Sequence, residues 1–156
     1  TGNSTAINRN AGFVDTVEAN CPNVTILAEQ PGNWNKDDSQ IAVSEMLTAV
    51  GPENVDGIYA ADDTMVAGAI DALKARDIDP EPLYITSIGN TFLGNPLVVS
   101  GELDGTVFQS SSWDGENAAR LAHAVLTGAD YEENLFMPSV KVTAENADDP
   151  SVAPEW

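Results

Sequence analysis

The stretch Gly57-Ile58-Tyr59-Ala60-Ala61-Asp62-Asp63-Thr64-Met65-Val66-Ala67-Gly68-Ala69-Ile70-Asp71-Ala72-Leu73 sets two periodicities side by side. Residues 57–60 form a short apolar run of the kind a buried strand shows, and the two aspartates after it offer helix-capping carboxylates. Val66, Ala69, Ile70 and Leu73 then recur at i, i+3, i+4 and i+7, one face of a helix. A strand feeding straight into a helix is half of a βαβ crossover, the connection that joins parallel strands.

The same alternation extends outward in both directions. Upstream, residues 24–28 read as a strand, Gln30-Pro31-Gly32-Asn33 as a turn, and Val43, Met46, Leu47 and Val50 as the inner face of a helix capped by Asp37 or Asp38. Before that, Ser4 can cap a helix carrying Ala6, Asn10, Phe13, Val14 and Val17 on one side. Downstream, residues 83–88 read as a strand, 93–99 as a short helix and 105–109 as another strand. A long helix is predicted over 113–127, with Ala118, Leu121, Ala122 and Val125 on one face and Gly128 as its stop. Residues 135–143 look extended, and the acidic, proline-containing stretch 147–156 reads as loosely held. The pattern predicts an α/β fold built on a largely parallel sheet.

Charge narrows the choice of partners. The 156 residues hold 25 Asp and Glu against six Lys and Arg, a formal net charge of −19. Phosphate backbones are bound by basic patches that release counterions, and six scattered cations do not build one, so nucleic acid is excluded as an expected partner. Self-repulsion at this density costs stability at low ionic strength, and screening lengths fall from ~10 Å at 0.1 M salt to ~3 Å at 1 M. Adaptation to high salt is the expectation. A hydrophobic fraction of 42% and mean hydropathy of −0.16 are those of a globular chain. One cysteine, Cys21, and one histidine, His123, leave no internal disulfide and no histidine-cluster metal site.

Enzymatic signatures are missing. No Walker-type loop, G-x-G-x-x-G, G-x-S-x-G, H-E-x-x-H or EF-hand pattern occurs. The acid pairs Asp37-Asp38, Asp62-Asp63 and Asp148-Asp149 are read as caps and solvated faces, where aspartate ordinarily sits, rather than as a hydrolase's carboxylates. Neither a catalytic role nor a cofactor is expected. What remains is a row of residues at the predicted strand ends, where open α/β sheets place ligands. Trp34 follows the first strand, Asp62 the second, Asn90 the third and Gln109 the fourth. Planar hydrogen-bonding groups beside an aromatic ring suit a ligand with many hydroxyls and an apolar C–H face.

In order and spacing the chain resembles the type I periplasmic sugar-binding proteins of ABC transporters, the ribose and galactose type. The resemblance runs through Gly2-Asn3-Ser4, Arg9-Asn10-Ala11-Gly12-Phe13 and Ala28-Glu29-Gln30-Pro31-Gly32-Asn33-Trp34. It continues through Ile58-Tyr59-Ala60-Ala61-Asp62-Asp63-Thr64-Met65-Val66-Ala67-Gly68-Ala69 and ends at Gly101-Glu102-Leu103-Asp104-Gly105-Thr106-Val107-Phe108-Gln109.

That resemblance implies a Rossmann-like parallel-sheet sandwich, here incomplete, with residues 1–143 forming mostly the second of two lobes. Residues 110–134 are then expected to pack on the other lobe, and 144–156 to form an acidic tail. It implies that Trp34 stacks on a monosaccharide, that Asp62, Gln109 and Arg9 contact its hydroxyls, and that Asp63 is the structural cap. Relatives grip the sugar with an aspartate where Gly89 stands in this chain, so either Asn90 substitutes from the neighbouring position as a ligand contact or the ligand lacks the hydroxyl that the aspartate recognises. The implied function is solute binding by hinge closure, delivered to a membrane permease in the periplasm or outside the cell. The alternative on the same fold is the effector domain of a LacI-type sugar-responsive regulator. The long helix's orphaned face raises a homodimer as a further possibility.

Overall fold

The computed structural model describes residues 2–156. Its elements in chain order are α1 (Ser4–Asn20), α2 (Lys36–Val50), β1 (Gly57–Tyr59), α3 (Asp63–Lys74), β2 (Tyr84–Gly89), α4 (Gly94–Ser100), β3 (Gly105–Phe108), α5 (Ser111–Thr127) and β4 (Val140–Val142). The strands form one sheet in the order β1-β2-β3-β4. β1 pairs with β2 and β2 with β3 in parallel, with Ile58 opposite Ile85 and Ile88 opposite Val107. β4 closes the far edge antiparallel, Val142 opposite Thr106. The crossovers from β1 to β2 and from β2 to β3 run through α3 and α4, as parallel pairing requires.

The core lies where α3, α4 and the sheet meet. Val66, Ile70, Leu73, Ile85, Val98, Leu103 and Val142 are almost fully buried, so all four predicted inner residues of α3 (Val66, Ala69, Ile70, Leu73) face inward as the spacing demands. α2 packs on α3 through Val43 and Leu47. Gly68 permits their close approach, because a Cβ there would stand 2.2 Å from the Lys36 carbonyl oxygen and 2.9 Å from Ser39 Cβ.

Several expectations need correction. Residues 24–28 are not a strand: β1 is the edge of the described sheet, and Val24 and Leu27 lie exposed without a ladder partner. The caps also shift by a residue or two. Asn3, not Ser4, caps α1, and Asn35, not Asp37 or Asp38, caps α2; each has extended backbone and a side-chain oxygen reaching two amides of the first turn. Asp62, not Asp63, caps α3, accepting from the Met65 amide at 2.7 Å.

The largest departure is the 147–156 stretch, which is docked rather than loose. Ala147 and Val152 join the hydrophobic core, and a single 3-10 turn spans Pro150–Val152. Charge count misled here, because two small apolar side chains suffice to anchor a short acidic segment. By contrast α1 and α5 bury no side chain among the described residues. On α5, Leu121, Val125 and Leu126 are exposed, and Tyr131 and Phe136 after it are too.

Candidate ligand-binding site

Arg9 stands at the centre of the site. One turn and a half into α1, its guanidinium donates to the Ala61 carbonyl oxygen at 2.6 Å and to Gln109 Oε1 at 2.7 Å. Its Cζ lies 5.6 Å from the centroid of the Trp34 ring, in cation–π range. Ala61 follows β1 and Gln109 follows β3, so one side chain ties α1 to the C-terminal ends of two parallel strands. α1 is held further by Phe13, whose ring stacks on Tyr59 at 4.2 Å with 5° between planes, and by the Tyr59 hydroxyl, which donates to the Arg9 carbonyl at 3.4 Å. Burial pushes the Tyr59 hydroxyl's pKa up, partly opposed by the Arg9 charge.

Trp34 reaches this cluster because the loop before α2 turns sharply. The Asn35 amide donates to the Gly32 carbonyl at 2.9 Å, and Asn33 and Trp34 both adopt left-handed backbone, with φ of 52° and 58°. Asp62 sits half-buried beside Ala61. Burial raises its carboxyl pKa, the Met65 amide bond lowers it, Asp63 raises it again and Arg9 lowers it. With Oδ1 engaged by Met65, the second oxygen remains as an acceptor.

Because a guanidinium only donates, Gln109 must turn its oxygen to Arg9 and leave its NH2 as a free donor. The cluster therefore offers an aromatic face, a carboxylate acceptor and an amide donor, the set that a neutral polyhydroxylated ring requires. No nucleophile stands beside a base in it, and among the described residues no group of three or more His, Cys, Asp and Glu side chains is placed to hold a metal. A surface groove of about 530 Å³ lined by Gln40, Ile41, Ser44, Thr48 and Arg76 lies elsewhere, along α2.

Four of the five sequence-derived site residues thus converge: Arg9, Trp34, Asp62 and Gln109. Asn90 does not. It is fully buried with φ of 52°, its Nδ2 donating to the Val152 carbonyl at 2.5 Å and its Oδ1 accepting from Asn95 at 3.2 Å. The left-handed turn at the end of β2 points its amide into the 147–156 segment, so its role is to pin that segment. Gly89 beside it has φ of 145°, and a Cβ there would meet Asp63 Oδ2 at 2.8 Å, which leaves no room for a larger side chain.

Asp63 is the residue whose importance the sequence hid. Its buried carboxylate accepts from Ser87 Oγ, from Thr106 Oγ1 at 3.0 Å and from the Thr91 amide at 2.7 Å, locking the start of α3 to β2, β3 and the loop between β2 and α4. Only Ser87 and Thr106, polar residues within two largely apolar strands and opposite each other in register, hinted at it.

Against known proteins, residues 1–130 match a family model described as the periplasmic binding protein domain. The chain belongs to the periplasmic binding protein family. A xylitol-binding protein of Mycolicibacterium smegmatis is 30% identical over 94% of this periplasmic binding protein chain and 41% of its own length. The ribose import binding protein of Haemophilus influenzae is 28% identical over 92% of the chain and 47% of its own. Among solved structures, a periplasmic solute-binding protein from Actinobacillus succinogenes with bound D-allose superposes with a TM-score of 0.87 at 23% identity, over 95% of this chain and 51% of that one. That likeness establishes the fold. The chain spans about half the length of the curated relatives it matches.

Proposed function

We propose that this chain forms one lobe of a monosaccharide receptor of an ABC importer, which closes on its ligand with a second lobe and presents it to a membrane permease. The observation that carries the reading is the Arg9 cluster, which gathers Trp34, Asp62 and Gln109 at the C-terminal ends of parallel strands. The sugar-binding names of the relatives support the ligand class, and their length supports the second lobe. A receptor of this kind works in the periplasm or outside the cell. In the two-lobed protein the exposed face of α5, with Leu121, Val125 and Leu126, is covered by the other lobe; where that lobe is lacking, a second copy covers it. Light scattering at high and low salt reports which, since a one-chain mass under both conditions removes the homodimer.

The reading is tested by a thermal-shift screen of pentoses, hexoses and polyols in molar salt, on this chain and on a version joined to an N-terminal lobe. Stabilisation by one sugar, abolished by Trp34→Ala, is the expected result. A folded two-lobed protein indifferent to every sugar overturns it.

A further inference from the structure

We propose that Glu155 and Trp156 act as a clasp that sets the direction in which α5 leaves the sheet. The proposal rests on the two-lobe reading only for its consequence, the angle at which the second lobe is presented.

A helix that buries none of its side chains has no packing to fix its direction, and α5 is such a helix among the described residues. Its orientation must come from its ends. At the N-terminal end four donor groups converge on Glu155. Oε2 accepts from the Ser112 amide at 2.7 Å and from Ser111 Oγ at 3.1 Å; Oε1 accepts from Ser112 Oγ at 2.8 Å and from Ser110 Oγ at 3.0 Å. Ser110 Oγ donates its hydrogen to Glu155 and with a lone pair accepts from the Trp113 amide, which it caps at 3.0 Å. A carboxylate at a helix N-terminus is further favoured by the helix dipole. The Ser112 amide and hydroxyl, with the Ser110 and Ser111 hydroxyls, hold the Glu155 carboxyl down to about 2.

The clasp would set nothing if its carrier were free, and it is not. Trp156 Nε1 donates to the Gln109 carbonyl at 3.0 Å, while the Trp156 carbonyl accepts from the Phe92 amide at 2.7 Å. Val152 is buried in the core and its carbonyl takes the Asn90 amide. The segment is therefore a strut from the β2–α4 loop to the β3–α5 junction. Gln109 is fixed at both backbone ends, its amide donating to Gly89 and its carbonyl accepting from Trp156, so the same strut positions the side chain that meets Arg9. With ~1.5 Å rise per residue, α5 is a lever of about 25 Å, and a 10° change at its start displaces its far end by about 4 Å.

Paired spin labels at Ser100→Cys on α4 and Ala119→Cys on α5, with Cys21→Ser, report this angle by pulsed electron paramagnetic resonance without any ligand. One narrow distance is expected for the parent protein. Glu155→Ala should broaden or shift it by several ångströms well below the melting temperature of the variant, where it is still folded, Glu155→Gln should lie between, and Trp156→Phe should broaden it without touching the serines. A distribution unaltered in both Glu155→Ala and Trp156→Phe overturns the clasp. Because no sugar enters the measurement, that result leaves the receptor reading intact, and a failed sugar screen leaves the clasp intact.

Discussion

Arg9 and Gln109 are joined by a 2.7 Å hydrogen bond across one hundred residues of chain, from the second turn of α1 to the end of β3. This bond carries a testable cost. Bonds from a charged donor contribute about 1.5–3 kcal/mol when shielded, and less where water can replace them, as it can at this half-exposed site. Arg9→Met and Gln109→Met should each lower stability by about 1 kcal/mol, with a coupling of about 0.5–1 kcal/mol in the double mutant. Urea unfolding of the four proteins measures it, and additive losses would show that the two groups do not meet in solution.

Gly68 and Gly12 make an internal contrast. A methyl at Gly68 would strike the Lys36 backbone carbonyl at 2.2 Å, whereas at Gly12 it meets nothing within 4 Å. Both lie in helices, where alanine gains about 1 kcal/mol over glycine. Overpacking should win at the first position, so Gly68→Ala is expected to lose about 1–2 kcal/mol by parting α2 from α3. Gly12→Ala should gain about 0.5–1 kcal/mol. Thermal denaturation of the two variants checks both signs.

The parts of the fold that share the helical and strand periods were legible in the sequence. α3 emerged residue by residue because its inner face packs on a sheet; position singled out Trp34, Asp62 and Gln109 and resemblance added Arg9, four residues that the fold brings close together. The failures have physical causes. Residues 24–28 have strand composition, but a strand exists only with a partner, which composition does not encode. Asn90, expected at the ligand, and Asp63, expected as the cap of α3, are buried instead, because burial of a polar side chain depends on distant hydrogen-bond partners, here the Val152 carbonyl for Asn90 and the Ser87 and Thr106 hydroxyls for Asp63. The docking of residues 147–156 depended on just Ala147 and Val152 finding the core, a signal too short for any period to show.

Salt should stabilise this protein. Its formal charge is −19, and the described ion pairs, Lys36 with Asp71, Lys74 with Glu102 and Arg120 with Glu116, lie on the surface, where such contacts contribute little. Screening therefore removes far more repulsion than attraction. The melting temperature is expected to climb steadily from 0.05 M to molar KCl. A flat or falling curve would remove the inference of adaptation to high salt.

Asp62 and Glu155 should leave opposite marks on the pH dependence of stability. Burial holds the Asp62 carboxyl above its ordinary 3.8, so the folded state keeps a proton that the unfolded state has released. Stability from this group accordingly declines as pH rises above 3.8 toward the raised folded value. Glu155 runs the other way: its folded value of about 2 against 4.5 gives stabilisation present above 4.5 and lost as pH falls toward 2. Asp62→Asn keeps a capping oxygen for the Met65 amide while deleting the titration. Relative to the parent, it should therefore gain stability as pH increases from 3.8, and Glu155→Gln should lose its disadvantage as pH decreases below 4.5. Chemical denaturation between pH 3 and 7 resolves the two, and a parallel offset at every pH for Asp62→Asn would mean that its carboxyl is not desolvated in the folded protein.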